Sequence, residues 1–292
     1  MVSKEKHRIS VYRVLEILGV SRSGYYSFLK RTPSNTEIKR NQVKKVIKEV
    51  YKESKEIYGA PKIYQKLIKR GFKTSLRSVS VYMKQMGIKA HYVKKSTKTT
   101  TNSDLSSKLT DHVKRNFNVK NPNAIWVTDI TYIWTRYDKF VYLTSVMDLY
   151  SRKIITWKIT DTLEVNCVTE TIKKAKKSRS IDKPLIIHSD RGSHYISFEY
   201  LKLFNSKMTP SYSRKGDPWD NACIESFHAL IKREWLGRFD ILNLPHAKAL
   251  VFEYIEVFYN KKRIHGTIGY ISPYEFERQH MLSETAKLSL KA

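Results

Sequence analysis

Cysteine and acidic residues are both scarce in this 292-residue chain, and each shortage excludes a class of protein. The two cysteines, Cys167 and Cys223, lie far apart and in no paired motif, so neither a disulfide framework nor a cysteine-bearing zinc site is expected. Residues 1–10 are charged and lack the apolar core of a signal peptide, and no apolar run reaches the roughly 18 residues of a membrane span. We therefore expect a cytoplasmic protein with no membrane partner.

The shortage of acidic residues leaves a large positive charge. Lysine and arginine number 55 against 27 aspartates and glutamates, which gives a formal net charge of +28. Self-repulsion of this size opposes compaction unless a polyanion offsets it. Nucleic acid is the leading candidate, because neutralised phosphates release counterions and give affinity that does not depend on sequence. The alternative is a merely well-solvated surface.

Two helix-turn-helix patterns occupy the first third of the chain. Residues 9–18 carry apolar side chains at helical spacing, Gly19 follows, and Ser21 is a suitable N-cap for a second helix. The pattern recurs between residues 60 and 86, with a break at Gly71. In such motifs the start of the second helix faces DNA bases, with phosphate contacts around it. The DNA contacts predicted here are Arg22, Tyr25, Arg77 and Lys84.

The predicted secondary structure changes from helix to strand along the chain. A cationic stretch without apolar period begins at Lys94, and three antiparallel strands are predicted at 124–134, 140–147 and 153–159. Helices then alternate with two further strands, so the fold class is α/β: a mixed five-stranded sheet flanked by helices and preceded by all-α modules. The predicted regions are a helix-turn-helix-like 1–35, a connector helix and second such module 36–93, a basic linker 94–122, an α/β core 123–237 and a helical extension 238–292.

Two aspartates stand where an apolar residue would be expected. The period of two puts Asp129 on the same strand face as Val127 and Ile133, and burying a lone carboxylate costs several kcal/mol unless it is paired or bound to metal. Asp190 closes a short apolar strand, at the end where open α/β sheets bind ligands. The alternatives are a hydrogen bond to nearby backbone for Asp129 and a turn-forming role for Asp190.

Glu225 follows on a helix whose start is signalled by Asp217 and Pro218. Alone it is an ordinary helical residue, but two strand aspartates and a helix glutamate can converge. Clustered carboxylates repel one another unless cations lie among them, and hard oxygen ligands favour Mg²⁺ or Mn²⁺. Two such ions, ~3.5–4 Å apart, can catalyse phosphoryl transfer. The runner-up mechanism attaches DNA to a serine or tyrosine, and no constellation that would activate such a hydroxyl is visible.

The segments around these carboxylates resemble motifs of bacterial insertion-sequence transposases. Residues 126–132 resemble the first-aspartate motif, residues 188–195 the second, and residues 211–227 the glutamate motif. Residues 259–273 resemble the carboxy-terminal signature, and Tyr58-Gly59 the upstream helix-turn-helix-like module. Over nearly the full chain the sequence is similar to the larger (OrfB) transposase protein of insertion-sequence family three.

The resemblance implies a ribonuclease H-like, integrase-type core over residues 123–237, with Asp129, Asp190 and Glu225 as catalytic and metal-binding residues. It implies cleavage and strand transfer of DNA, dependent on two Mg²⁺ or Mn²⁺ ions. The implied partners are double-stranded DNA, further copies of the chain on DNA, and a small helix-turn-helix (OrfA) protein; bound to DNA, the protein would be associated with the nucleoid. One departure is the spacing: 225 − 190 = 35, so 34 residues intervene, one fewer than the family's usual count.

Further cations flank the glutamate helix. Lys232 lies seven residues after Glu225, hence on nearly the same helix face, and Arg214 and Lys215 precede the helix. We expect these three to hold phosphates, and Arg263 to touch DNA or a second protomer. Two rival functions remain: a catalytically silent, transposon-derived DNA-binding protein, and a nuclease that cuts without joining. The aromatic residues expected in the core are Trp126, Phe140 and Trp157.

Overall fold

The computed structural model describes residues 10–91, 109–214 and 217–289. Within those ranges no helix is long and apolar enough to cross a membrane. The amino-terminal part is helical, as predicted. Serine side chains cap three of its five helices, each accepting a hydrogen bond from the backbone N–H three residues on. The helices are α1 Val11–Ile17, α2 Arg22–Leu29, α3 Asn35–Glu53, α4 Ala60–Lys69 and α5 Leu76–Gln85.

Helices α3, α4 and α5 form one packed unit, here called the helix-turn-helix-like unit (residues 35–91). Its core contains Ile47, Ile63, Leu67 and Val79, none of which has any exposed surface. Gly71 between α4 and α5 has a φ of +81°, a backbone conformation that glycine adopts at little cost. The break predicted at Gly71 is thus the turn between two helices of a compact unit.

A mixed five-stranded sheet follows, and it confirms the predicted fold class. Strand β1 pairs antiparallel with β2, and β2 with β3, while β4 and β5 run parallel to β1. The spatial order is β3-β2-β1-β4-β5. The strands are β1 Ile125–Thr135, β2 Lys139–Asp148, β3 Ile154–Thr160, β4 Leu185–Ser189 and β5 Met208–Tyr212.

Helices cover both faces of the sheet. On one face α6 and the short α7 and α8 pack over Trp126, Val146 and Ile187. On the other lie α9 and α10, which share a core with the helix-turn-helix-like unit. The carboxy-terminal segment runs from α10 through a π-helical stretch, Glu253–Tyr259, to α11. The helix bounds are α6 Val165–Ser178, α7 Ser193–Ile196, α8 Phe198–Leu201, α9 Ala222–Glu234, α10 Leu244–Phe252 and α11 Pro273–Ser289.

Two expectations about packing are wrong. Residues 109–122 do not behave as a free linker: the Tyr212 N–H donates to the Thr110 carbonyl at 3.0 Å, and the His112 N–H to Ser211 Oγ at 2.9 Å. These contacts dock the segment on the β5 edge; residues 94–108 lie outside the described residues. Phe140 is 47% exposed rather than buried, because it lies next to the turn that joins β1 to β2, opposite Trp134. Trp126 is fully buried, as expected.

Candidate active site

Strand register brings the two aspartates to one level. The last parallel pair between β1 and β4 is Val127 with His188, so two residues further along each strand come Asp129 and Asp190. Adjacent strands lie ~4.8 Å apart, which makes these residues neighbours at the point where β4 ends and β1 continues. The side chain of Asp129 is 18% exposed.

Helix α9 begins beside these aspartates. The Asn221 side-chain amide, just before the helix, donates to the Thr128 carbonyl at 3.3 Å and ties the helix start to β1. A single 3₁₀ turn, Pro218–Asn221, precedes α9, where the sequence predicted one continuous helix. Glu225 therefore lies in the first turn of α9, above the strand that carries Asp129.

The three carboxylates affect one another electrostatically. Burial and, next, repulsion by Asp129 raise the pKa of Asp190 to about 6. Burial, then repulsion by Asp129 and Asp190, raises the pKa of Glu225 to about 7, although this side chain reaches the surface. The aspartates and the glutamate, distant in sequence, therefore share one region of negative charge.

His228 is a residue of this site that the sequence reasoning missed. It is 4% exposed, and its Nδ1 lies 3.2 Å from Asp129 Oδ2. A carboxylate can only accept, so Nδ1 is the donor. On the other side Nε2 lies 3.2 Å from Ser145 Oγ on β2. The available signal was spacing, because a residue three positions after Glu225 lies on the same helix face.

Two of the cations flanking the glutamate helix take different positions. Lys232 is half-buried, with Nζ 5.1 Å from the centre of the Tyr132 ring. Burial lowers the pKa of Lys232 and the nearby charge of Asp129 raises it, so this lysine lies within electrostatic reach of the carboxylates. Arg214 instead grips the loop before α9: its Nε and Nη2 donate to the buried Asp220 at 2.9 and 3.0 Å. Lys215 lies outside the described residues.

Arg263 does not have the exposure that a DNA contact requires. It is 5% exposed, and its guanidinium donates to both carboxylate oxygens of Glu234 at 2.8 and 2.6 Å. The Tyr254 hydroxyl donates to the same carboxylate at 2.7 Å. This network joins the end of α9 to the carboxy-terminal segment, so the predicted DNA contact at Arg263 is wrong. The sequence pattern around Arg263 does not reveal that its side chain is buried.

The contacts predicted in the amino-terminal helices are accessible. Arg22, at the start of α2, and Arg77 and Lys84 on α5 are exposed, and Tyr25 is half-buried. Their contact with DNA stays a prediction.

The three carboxylates are the candidate ligands for a metal ion. Across the described ranges, no group of three or more histidine, cysteine, aspartate or glutamate side chains is arranged to hold a metal ion. The chemistry of the donors nevertheless fits a hard divalent cation, because three carboxylates offer oxygen ligands and their mutual repulsion is unrelieved.

Comparisons with known proteins bear on both halves of the chain. Two family models described as integrase core domain match residues 119–218 and 206–273. A model described as an HTH-like domain matches residues 39–96, which include most of α3 and all of α4 and α5.

The relatives extend over nearly the whole chain. A transposase for insertion sequence element IS904 of Lactococcus lactis is 32% identical over 249 residues, covering 85% of this chain and 98% of that protein. The insertion element IS600 uncharacterized 31 kDa protein of Shigella sonnei is 31% identical, covering 92% and 99%. Transposase InsF for insertion sequence IS3A of Escherichia coli is 29% identical, covering 96% and 98%. The chain therefore belongs to the family-three insertion-sequence transposases, DNA transposases with an integrase core domain.

Proposed function

We propose that Asp129, Asp190 and Glu225 are the catalytic metal ligands of a DNA transposase that cleaves DNA strands and transfers them to new sites. The observation that carries this proposal is the electrostatic coupling of the three carboxylates at the end of β4. When bound, two Mg²⁺ or Mn²⁺ ions would supply activation of the attacking oxygen and stabilisation of the leaving oxygen.

Each of the three proposed metal ligands is carried by a different element of the fold. Asp129 is on the continuing strand β1, Asp190 follows the end of β4, and Glu225 is on the first turn of α9. The raised pKa of Glu225, about 7, means that without a counter-charge the cluster tends to keep a proton near neutral pH. A cation held by the same oxygens would remove the repulsion between the three carboxylates. The cluster should therefore bind a cation more strongly than isolated surface carboxylates do.

His228 has a positioning role in this proposal. Its Nδ1–H holds one oxygen of Asp129 while Ser145 holds the far side of the ring, and the ring is buried. This arrangement restricts rotation of the Asp129 carboxylate before it meets a ligand. Partners of this kind around metal ligands contribute typically 10–100-fold to affinity or activity.

DNA is the substrate and the main partner. The electrostatic effect of Asp129 on Lys232 supports a role for this lysine in holding a phosphate beside the carboxylates. We assign base and phosphate contacts away from the site to Arg22, Tyr25, Arg77 and Lys84. Lys215 and Arg214 would approach DNA from the loop before α9, with Arg214 limited by its bond to Asp220. Action as an oligomer on DNA, cooperation with an OrfA-type protein and a cytoplasmic, nucleoid-bound location belong to the same proposal.

The test uses the full chain and a labelled duplex that carries the ends of its insertion sequence, with Mg²⁺ or with EDTA. Joined products are expected with Mg²⁺ and none with EDTA. Glu225→Gln should abolish both cutting and joining while DNA binding persists, whereas Glu199→Gln, an exposed acid on α8, should leave both intact. Cuts without joining would identify a nuclease, and binding without breakage would identify the catalytically silent alternative.

A further inference from the structure

A cleft of about 350 Å³ lies between the helix-turn-helix-like unit and the carboxy-terminal segment, away from the carboxylates. Lysines line it from both sides. Lys66 and Lys69 come from the end of α4, and Lys261 and Lys262 follow directly after the π-helical stretch. Four cations from two distant parts of the chain thus face one space.

The carboxylates that line the cleft do not balance these lysines. Glu53 forms a bidentate pair with Arg70, whose Nη2 lies 2.8 and 2.6 Å from the two oxygens. Glu275 is paired with Arg278, with Nε 2.9 Å from Oε2. Within the described parts of the chain, no ion pair joins any of the four lysines to a carboxylate. Glu53 acts electrostatically on Lys66, and Lys69 on Glu275, but four lysines line the cleft against two carboxylates, so the lining keeps a net positive charge.

The two walls of the cleft are fixed to one another. The Tyr58 hydroxyl, before α4, donates to the Lys262 carbonyl at 3.2 Å and accepts from the Ile264 N–H at 2.9 Å. Lys69 Nζ donates to the Tyr270 carbonyl at 3.0 Å. These bonds hold the lysines near one another against their repulsion, which lowers the entropy lost when an anion binds. Burial, then repulsion by Lys69 and Arg70, lowers the pKa of Lys66.

The position of the cleft suggests which anion it binds. In helix-turn-helix proteins the second helix enters a DNA groove while the first crosses the sugar-phosphate backbone. Here α4 is the first helix, and Lys66 and Lys69 lie in its last turn, just before the turn to α5. Lys261 and Lys262 extend that row of cations onto the carboxy-terminal segment. A continuous polyanion fits such a row better than an isolated small anion.

We infer that this cleft binds the phosphate backbone of duplex DNA, so that the helix-turn-helix-like unit and the carboxy-terminal segment grip the same strand. Because this binding uses lysines and no metal, it goes beyond the proposed catalytic function and can be tested without it.

The experiment measures binding of the full chain to a fluorescent duplex in EDTA over a series of salt concentrations. The variant Lys261→Gln/Lys262→Gln removes two cleft charges. Its matched control is Lys173→Gln/Lys174→Gln, which removes two exposed charges from α6 on the other side of the sheet. Each lost phosphate contact should reduce the slope of log affinity against log salt by ~0.9. We expect a reduction near twice that for the cleft variant and little change for the control.

A second measurement needs no variant. Acetylation of lysines in the wild-type chain, with and without the duplex, should show protection of Lys66, Lys261 and Lys262 but not of Lys173 and Lys174. Equal salt slopes for both double variants, or equal acetylation with and without DNA, would overturn the inference. So would pyrophosphate binding that is lost in the cleft variant while duplex affinity stays unchanged, since that result identifies a small-anion site.

Discussion

Helix α9 carries a charged cluster at each end, and the two clusters are opposites. At its start, Glu225 faces Asp129 and Asp190, and burial together with like charge raises the pKa of Glu225 to about 7. At its end, Glu234 is buried, unlike the exposed Glu225, but the bonds and charge of Arg263 outweigh the effect of burial and hold the pKa of Glu234 below its ordinary value. In the first cluster Asp129 has His228 as a hydrogen-bond partner and Lys232 only at longer range, whereas in the second Glu234 is paired directly with Arg263.

The difference separates a candidate ligand site from a structural ion pair. A cluster with unrelieved repulsion destabilises the fold and persists where another molecule supplies the missing charge. A buried carboxylate whose two oxygens both accept from an arginine, and one also from Tyr254, already has its counter-charge and needs no ligand to supply it. Both glutamates stand on the same helix, so the sequence pattern of the helix alone does not distinguish them.

The largest expected effect is on catalysis. Glu225→Gln replaces one negative carboxylate of the proposed ligand set with a neutral amide. The expected loss of several kcal/mol of transition-state stabilisation corresponds to a rate of strand breakage lower by roughly 10³-fold or more. Thermal unfolding in EDTA should be unchanged or shifted upward, since the substitution relieves repulsion. A variant with normal breakage would remove Glu225 from the catalytic set.

The other end of the helix should behave in the reverse manner. Arg263→Ala leaves the carboxylate of Glu234 buried without its cation, and breaking such a pair costs about 3–5 kcal/mol. Denaturant unfolding would measure it. The exposed pair of Arg278 with Glu275 is the control, and Arg278→Ala should change the stability far less than Arg263→Ala does. If both variants lose the same small amount, the buried pair is not structural.

The third effect concerns the support of Asp129. His228→Ala should weaken Mn²⁺ binding by about 10–100-fold, measured by calorimetry on the DNA-free chain. His228→Asn should restore part of the loss, because its side-chain amide can donate in place of Nδ1. Affinity for duplex in EDTA should not move. Unaltered Mn²⁺ affinity in the alanine variant, alongside a clear loss in Asp129→Asn, would refute the positioning role alone.

The smallest effect is on the pH dependence of stability. The pKa of Glu225 is about 7 in the folded chain, against an ordinary value of 4.5, so the folded state binds more protons between these values. Stability in EDTA should therefore fall as pH rises from about 4.5 to about 7, and Glu225→Gln should flatten that fall. Melting temperatures of both proteins across this range provide the measurement. Parallel curves would contradict the raised pKa.

Much of the fold could be predicted from local pattern. Each bound of the three antiparallel strands differs from its predicted position by one residue, because period-two burial is recorded directly in the order of apolar residues. Helix α9 was predicted to start at Pro218, and the 3₁₀ turn there reflects tertiary bonds of Asp217 and Asp220 to Arg115 and Arg214. The bonds from Arg115 join residues about a hundred positions apart and leave no local signal.

Side-chain environments were harder to predict than elements. Phe140 is an apolar residue in a predicted strand, as core residues are, but it lies on a part of the sheet where its side chain stays 47% exposed. Arg263 has the charge of a DNA contact, but it meets Glu234 in the interior. His228 has no distinctive context until α9 is laid across β1 and β2. In each case the partner comes from another element.

By itself, the sequence determined the excess of positive charge, the alternation of strands and helices, and the two aspartates, Asp129 and Asp190, at the apolar strands. Those features depend on composition and on neighbours within a few positions. Only the tertiary structure decided which charges share a space: that Asp129, Asp190 and Glu225 repel one another, that Glu234 has Arg263, and that four lysines face one cleft. Electrostatic energy depends on distance and burial, and both are fixed only when distant segments pack together.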